Sequence, residues 1–346
     1  MDKPISSVKE TEKYSINPNR KFFSATHEEI EKGLTTDIYF VRAQEILRYL
    51  RLDSTIVTAE IFPRKEGVFA GTQEVYNLLK DKKIKLWSLE EGESFQHKDT
   101  VMRIEGPYCE FGVFETVILG ILASSSAWAT AARKCKDAVV GAKKVVCFGS
   151  RHIHPSVAPV MERSALIGGV DGASCILGAK LSGEKPQGTI PHTVMIISAD
   201  TIKAAQAYNI CMPKDVPRII LIDTFKDEAE ESIRVARALR KDLLGVRLDT
   251  PSERGGVTPD LVKEVRVRLD QAGFPYVKIF VSGGLTPERI SMLSKEPVDA
   301  FGVGSYISDA SPIDMTLDIK EVEGKPIAKR GRIPGKIENS KLKRIM

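Results

Sequence analysis

From about residue 144 onward the hydrophobic pattern repeats one unit: a short unbroken apolar run, a few glycines or polar residues, then an amphipathic stretch. The runs are VVCFGSR, GTI, RIILIDTF, LLGVRLDT, YVKIFVSGG and DAFGVGS, and the stretches between them include DEAEESIRVARALRKD, TPDLVKEVRVRLDQAG and TPERISMLSKE. Apolar runs of this length alternating with helical periodicity predict parallel strands joined by crossover helices. Six or seven strands fall short of a closed eight. The expected architecture is therefore α/β, an irregular, incomplete (β/α) barrel over residues 116–310.

The first third reads differently. After a leader (1–20), residues 26–50 predict a turn and then a helix, with Ile46, Leu47 and Leu50 on its apolar face and Tyr39 at its entrance. STIVTAEIFP, EGVFAG and TVMRIEG have strand character, TQEVYNLLKDKK is helical, and a long helical run from about Phe111 to Ala138 leads onward. This predicts an N-terminal mixed α+β domain over 21–115, with the segment 311–346 packing back on it. The run FGVFETVILGILASSSAWATAA is interrupted by Glu115, Thr116 and Ser124 to Ser126, so it is expected to be a buried core helix and not a membrane span.

Polar and glycine residues gather where the apolar runs end: Ser150 and Arg151, Asp223 and Thr224, Arg247 and Asp249, Ser282 with Gly283 and Gly284, Gly302 with Gly304 and Ser305. In a parallel barrel these ends share one face, where barrel active sites are built. Arg247 and Asp249 are two residues apart on a strand, so both side chains point to the same side, into the barrel. Either they serve each other as an internal salt bridge or they serve a ligand. The glycines closing the last two runs suit a phosphate against backbone N–H groups, or simply tight turns. Phe148 and Arg151 offer an aromatic face and a cation to a flat, charged heterocycle, or are a core phenylalanine and a surface arginine. His192, in GTIPH, sits on an irregular connection and is a candidate for chemistry.

Composition narrows these readings. The chain has 346 residues, with 42% hydrophobic and 28% charged, as in a soluble globular enzyme, and no apolar signal core opens it; a cytoplasmic protein is expected. Five scattered cysteines without a Cys-x-x-Cys pair argue for reduced thiols, and no zinc is expected. Residues 320–346 hold nine Lys or Arg against three Glu, more than the whole net charge of +5. Without interleaved aromatics this tail argues weakly for nucleic acid and equally for a phosphorylated small molecule or a solvated end.

Taken in order, TDIY, FGSRH, GGVDGAS, GTIPH, LIDTF, GVRLDT, VSGGL, FGVGS and the closing KPIAKRG resemble the type II phosphoribosyltransferases, and most closely the archaeal and bacterial nicotinate phosphoribosyltransferases, from about residue 35 to 330. The resemblance implies transfer of phosphoribosyl from 5-phosphoribosyl 1-pyrophosphate to nicotinate in NAD biosynthesis, with Mg²⁺ and with ATP as co-substrate. It implies that Phe148 stacks on the pyridine ring and that Tyr39 covers the other face from a partner subunit, in a homodimer or larger homo-oligomer with shared sites. Arg151 and Arg247 would hold the substrate's anionic groups, with Thr189, Asp223 and Thr224 also at the substrate. Asp249 would accept ribose hydroxyls and lie near Mg²⁺, while Gly283, Gly284, Gly302, Gly304 and Ser305 cradle the 5-phosphate. His192 matches a histidine phosphorylated by ATP. At Asp171 the chain departs toward the nicotinamide-specific branch, since an inward carboxylate would repel a carboxylate substrate. Quinolinate phosphoribosyltransferase shares the architecture but calls for a denser set of Arg, Lys and His. A non-catalytic phosphate- or RNA-binding protein is the remaining alternative.

Overall fold

The computed structural model describes residues 4–346 and divides into two compact units, one running to Thr130 and resuming at Ser311–Met346, the other Ala131–Ala310. The first three residues of the expected leader lie outside the described ones. The rest carries a short helix, Val8–Lys13, capped by Ser7.

The first unit is built on an antiparallel six-stranded sheet in the order Lys325–Pro326, Met315–Val322, Ile56–Pro63, Met102–Pro107, Lys85–Ser88, Lys343–Arg344. Ile56–Pro63 is its centre: after Ile56 every residue is buried. Its neighbour Met102–Pro107 alternates buried and half-buried, as a strand with one wet face does. The C-terminal segment supplies three of the six strands. The helix Ile38–Tyr49 buries Phe40, Val41 and Gln44, while Ile46 and Leu50 are more than half exposed. The apolar face expected there is thus rotated toward the helix start. The helical span Tyr108–Asp137 is long and apolar enough to cross a membrane, but 61% of its most apolar window is buried inside the protein.

The second unit carries six strands, numbered here within it: β1 (Lys144–Cys147), β2 (Gly172–Ala173), β3 (Ile219–Leu221), β4 (Gly245–Leu248), β5 (Lys278–Val281) and β6 (Ala300–Val303). They are all parallel, in the order β2-β1-β6-β5-β4-β3. The sheet keeps two edges, β2 and β3, and the expected incomplete barrel is what forms. Its helices are α1 (Ala158–Ile167), α2 (Ile176–Leu181), α3 (His192–Ser198), α4 (Thr201–Cys211), α5 (Glu228–Leu239), α6 (Pro259–Gln271), α7 (Pro287–Leu293) and α8 (Ser305–Ser308). Val262, Val265 and Leu269 form the buried stripe of α6, and Thr258 caps it by accepting Leu261 N–H. Asp227 and Thr286 cap α5 and α7 in the same way.

Two local expectations fail. GTI is not a strand: Gly188 and Thr189 form a loop, tied nearby by Gln187 N–H to Ala173 C=O at 2.8 Å. The edge position goes instead to Gly172–Ala173, too short and too small to leave a hydrophobic signature. His192 is not on an irregular connection but opens α3, directly after Pro191.

Candidate active site

A cavity of about 380 Å³ lies at the C-terminal ends of β1, β4, β5 and β6, walled by the residues that follow those strands and by the loop carrying Gly188 and Thr189. Strand alternation makes it. On β4, Val246 and Leu248 are fully buried on one side, and Arg247 points to the other. There its guanidinium donates to Thr189 Oγ1, lies 3.6 Å from Asp249 Oδ2, and sits 5.8 Å from the centre of the Phe148 ring. Burial pulls the Arg247 pKa below its ordinary value, and Asp249 and Asp223 oppose that shift. Its buried Nε has no partner. A desolvated cation with spare donors is prepared for an anionic ligand.

Among the described residues Asp249 is the only carboxylate lining the cavity, and Ser282 Oγ–H donates to its Oδ1 at 2.8 Å. Gly283 and Gly284 follow on β5, both with left-handed φ (91° and 59°), and a Cβ on Gly283 would come 3.1 Å from that same oxygen. Gly302 has a steric task as well. A Cβ there would lie 2.3 Å from the Phe148 ring, so its bareness admits the aromatic face as well as baring backbone to the cavity. At Gly304 a Cβ would come 3.0 Å from His152 Nε2.

Ten of the expected site residues therefore meet in one cavity: Phe148, Arg151, Thr189, Arg247, Asp249, Gly283, Gly284, Gly302, Gly304 and Ser305. Next to them stands a pair the cavity lining does not include. His192 Nε2–H donates to Asp223 Oδ2 at 3.1 Å, and this bond raises the histidine pKa, burial only partly offsetting it. Asp223 is almost fully buried, and its Oδ1 and the Thr224 hydroxyl have no hydrogen-bond partner.

Asp171 must be corrected. Its carboxylate accepts the N–H of Val145 at 2.8 Å, near the start of β1, and pairs with Lys136 Nζ at 2.5 Å, at the strand ends opposite the cavity. It has no bearing on the choice between amide and carboxylate. Tyr39 belongs to the first unit, 56% exposed, its ring 4.3 Å from that of Phe40.

Sequence reasoning missed His152, Ser174 and Gly188, all of which line the cavity, and placed Ser150 and Ser282 at the strand ends without giving them a role. His152 was findable, one residue beyond Arg151 in the same motif and with its Nε2 accepting from Arg151 Nε at 3.5 Å. Among the described residues no group of three His, Cys, Asp or Glu is arranged to hold a metal.

Residues 37–126 match the sequence model of the quinolinate phosphoribosyl transferase N-terminal domain, and residues 128–318 match that of its C-terminal domain. The chain belongs to the quinolinate phosphoribosyl transferase family. The crystal structure of nicotinate-nucleotide pyrophosphorylase from Pyrococcus furiosus is 44% identical with a TM-score of 0.88, covering 92% of this chain and 82% of that one. Human nicotinic acid phosphoribosyltransferase, at 17% identity and a TM-score of 0.72 over 87% of this chain and 77% of that one, shares the fold. Among curated proteins, nicotinate phosphoribosyltransferase pncB2 of Mycobacterium tuberculosis is 30% identical over 247 residues, 69% of this chain and 52% of that protein. The nicotinate phosphoribosyltransferase of Bacillus subtilis is 30% identical over 229 residues, 65% of this chain and 46% of that one. The chain spans about half the length of these curated relatives.

These findings keep the type II phosphoribosyltransferase class and overturn the narrower expectation. Assignment to the nicotinate-specific, ATP-coupled, ligase-type enzymes gives way to the quinolinate family, which both domain models match and to which the 44%-identical structure points. The phosphohistidine expectation belonged to the ATP-coupled assignment and falls with it. His192 is held by Asp223, whose hydrogen bond raises the histidine pKa.

Proposed function

We propose that this chain is a phosphoribosyltransferase of NAD biosynthesis that joins quinolinate to the phosphoribosyl group of 5-phosphoribosyl 1-pyrophosphate. The observation that carries this reading is the pair of arginines in the cavity. Arg151 and Arg247, with the His152 ring beside them, stand against the carboxylate of Asp249, and two cations suit the two carboxylates of a pyridine dicarboxylate. Phe148 offers the ring its face, and Gly283, Gly284, Gly304 and Ser305 offer the 5-phosphate backbone N–H groups.

The pyridine nitrogen bonds to ribose C1 as pyrophosphate departs, through a transition state with positive charge on the sugar. Asp249 stabilises that charge, and the arginines and His152 orient the acceptor. Formation of nicotinate nucleotide from a 2,3-dicarboxylate also requires that the C2 carboxylate leave as CO₂, its bonding electrons staying on C2 and taking a solvent proton. Asp249 would help hold Mg²⁺ brought in with the substrate, and the ion would supply charge neutralisation of the leaving pyrophosphate. The working unit is a homodimer or larger, in the cytoplasm, with Tyr39 closing the partner's site. Its exposed ring and the exposed Ile38, Ile46, Tyr49 and Leu50 around it support that role.

The test is to supply 5-phosphoribosyl 1-pyrophosphate and Mg²⁺ with quinolinate, nicotinate or nicotinamide, following pyrophosphate and labelled CO₂ from C2. Quinolinate should release both in equal amounts without ATP. No pyrophosphate with quinolinate would sink the proposal.

A further inference from the structure

Glu162, in the middle of α1, is fully buried, and its carboxylate collects three donors. Ser150 Oγ–H and Ser174 Oγ–H both reach Oε1, at 2.6 and 2.9 Å, and the Cys175 N–H reaches Oε2 at 2.6 Å. Ser150 follows β1, Ser174 follows β2, and both line the cavity. The approach is close because α2 has Gly178 facing α1: a Cβ there would lie 3.1 Å from Glu162 Cβ and 3.2 Å from the Pro159 carbonyl oxygen.

A hydroxyl has one proton to give and two lone pairs to receive with. With both serine protons directed inward onto Glu162, this part of the wall offers the cavity only acceptors, with a buried negative charge behind them. A carboxylate or phosphate gains nothing from such a wall, because it too only accepts. A sugar hydroxyl donates, and fits. We propose that Glu162 is a positioning residue that commits Ser150 and Ser174 to receive the ribose hydroxyls of 5-phosphoribosyl 1-pyrophosphate, leaving the acidic groups of both substrates to Arg151, Arg247 and His152. This rests on the phosphoribosyl reading of the cavity and adds to it a residue that touches no substrate.

Glu162→Gln tests it with little change of shape. The Cys175 N–H cannot turn, so the glutamine oxygen stays on it and the NH₂ takes the place of Oε1, where both serines must turn to receive it and send their protons into the cavity. KM for 5-phosphoribosyl 1-pyrophosphate should rise about tenfold or more, the worth of one to two misdirected hydrogen bonds. The fall in kcat should be smaller, and KM for quinolinate should hold or drop. In a Ser150→Ala, Ser174→Ala background the substitution should change little further, because it acts through those hydroxyls. A rise confined to quinolinate KM, or an undiminished effect in the double-alanine background, overturns the proposal. Should Glu162→Gln not fold, Ser150→Ala and Ser174→Ala carry the test, and unchanged KM for the ribosyl donor in both overturns it. Calorimetric titration of the wild type and variant with ribose 5-phosphate separates this from the parent reading. Weaker binding by the variant supports the wall even if quinolinate is not turned over, whereas equal binding overturns it.

Discussion

Two regions of this chain are basic, and they use their charge in opposite ways. In the C-terminal segment of the first unit most of the cations are consumed at home. Arg332 pairs with Asp318 at 2.9 Å and lies over Phe62, Lys336 pairs with Glu321 at 3.1 Å, Lys343 with Glu90, and Arg344 lies over Trp87. The buried Lys320 donates to the Ile333 carbonyl. Glu60, fully buried, holds both Arg103 at 2.7 Å and the Ile337 N–H at 3.1 Å, fastening the segment to the sheet. In the cavity of the second unit, two arginines share one lining carboxylate, and Arg247 keeps an unpartnered buried nitrogen. A run of positive charge is therefore no sign of a binding surface by itself. What matters is how much of the charge remains uncompensated where solvent is excluded.

The largest expected effect falls on the cavity. Asp249→Asn should cut turnover by about a hundredfold or more, with the melting temperature nearly unchanged, because charge is removed and shape kept. Near wild-type turnover would break the contrast. Arg247→Lys comes next, losing about tenfold to a hundredfold in kcat/KM, since an ammonium cannot hold Thr189, Asp249 and the Phe148 face at once. If stability fell and kinetics did not, Arg247 and Asp249 would be an internal salt bridge and no more.

Glu60→Gln probes the other side. It should cost about 3 kcal/mol in denaturant unfolding while activity per folded molecule stays the same, because a buried charge on Arg103 loses its counterpart. His192 gives a pH-dependent signature. Its folded pKa is raised by Asp223, so its stabilising share is complete below about pH 6.5 and is lost as pH rises through the higher folded value. The stability gap between wild type and His192→Gln should accordingly close on the alkaline side. A gap that widened there would mean the imidazole is held neutral. Smallest of all, Lys343→Ala, an exposed pair, should leave the melting temperature unresolvably altered in physiological salt.

Much of the site was legible because strands impose a period of two and because parallel strands bring their C-terminal ends together. Arg247 with Asp249, Phe148 with Arg151, and the glycine pairs could be assembled from spacing alone. Asp171 could not, since β2 consists of a glycine and an alanine and gives no register from which to read where the preceding carboxylate points. GTI had the letters of a strand, yet Gly172–Ala173 took the sheet edge. Glu162 was invisible for another reason: a glutamate in an amphipathic helix reads as solvated, and only the packing of α2 across Gly178 shows it buried.

The sequence by itself determined the α/β alternation, the incomplete barrel and the position of the glycines at the strand ends, because each depends on local periodicity or on short motifs whose geometry travels with the backbone. Tertiary structure alone decided which charges are spent and which are left. Pairing of Lys336 with Glu321, of Asp171 with Lys136, of His192 with Asp223 and of two serine hydroxyls with Glu162 joins side chains from different elements. Such pairings depend on distances of a few ångströms and on the exclusion of water, neither of which is encoded in the spacing of residues along the chain.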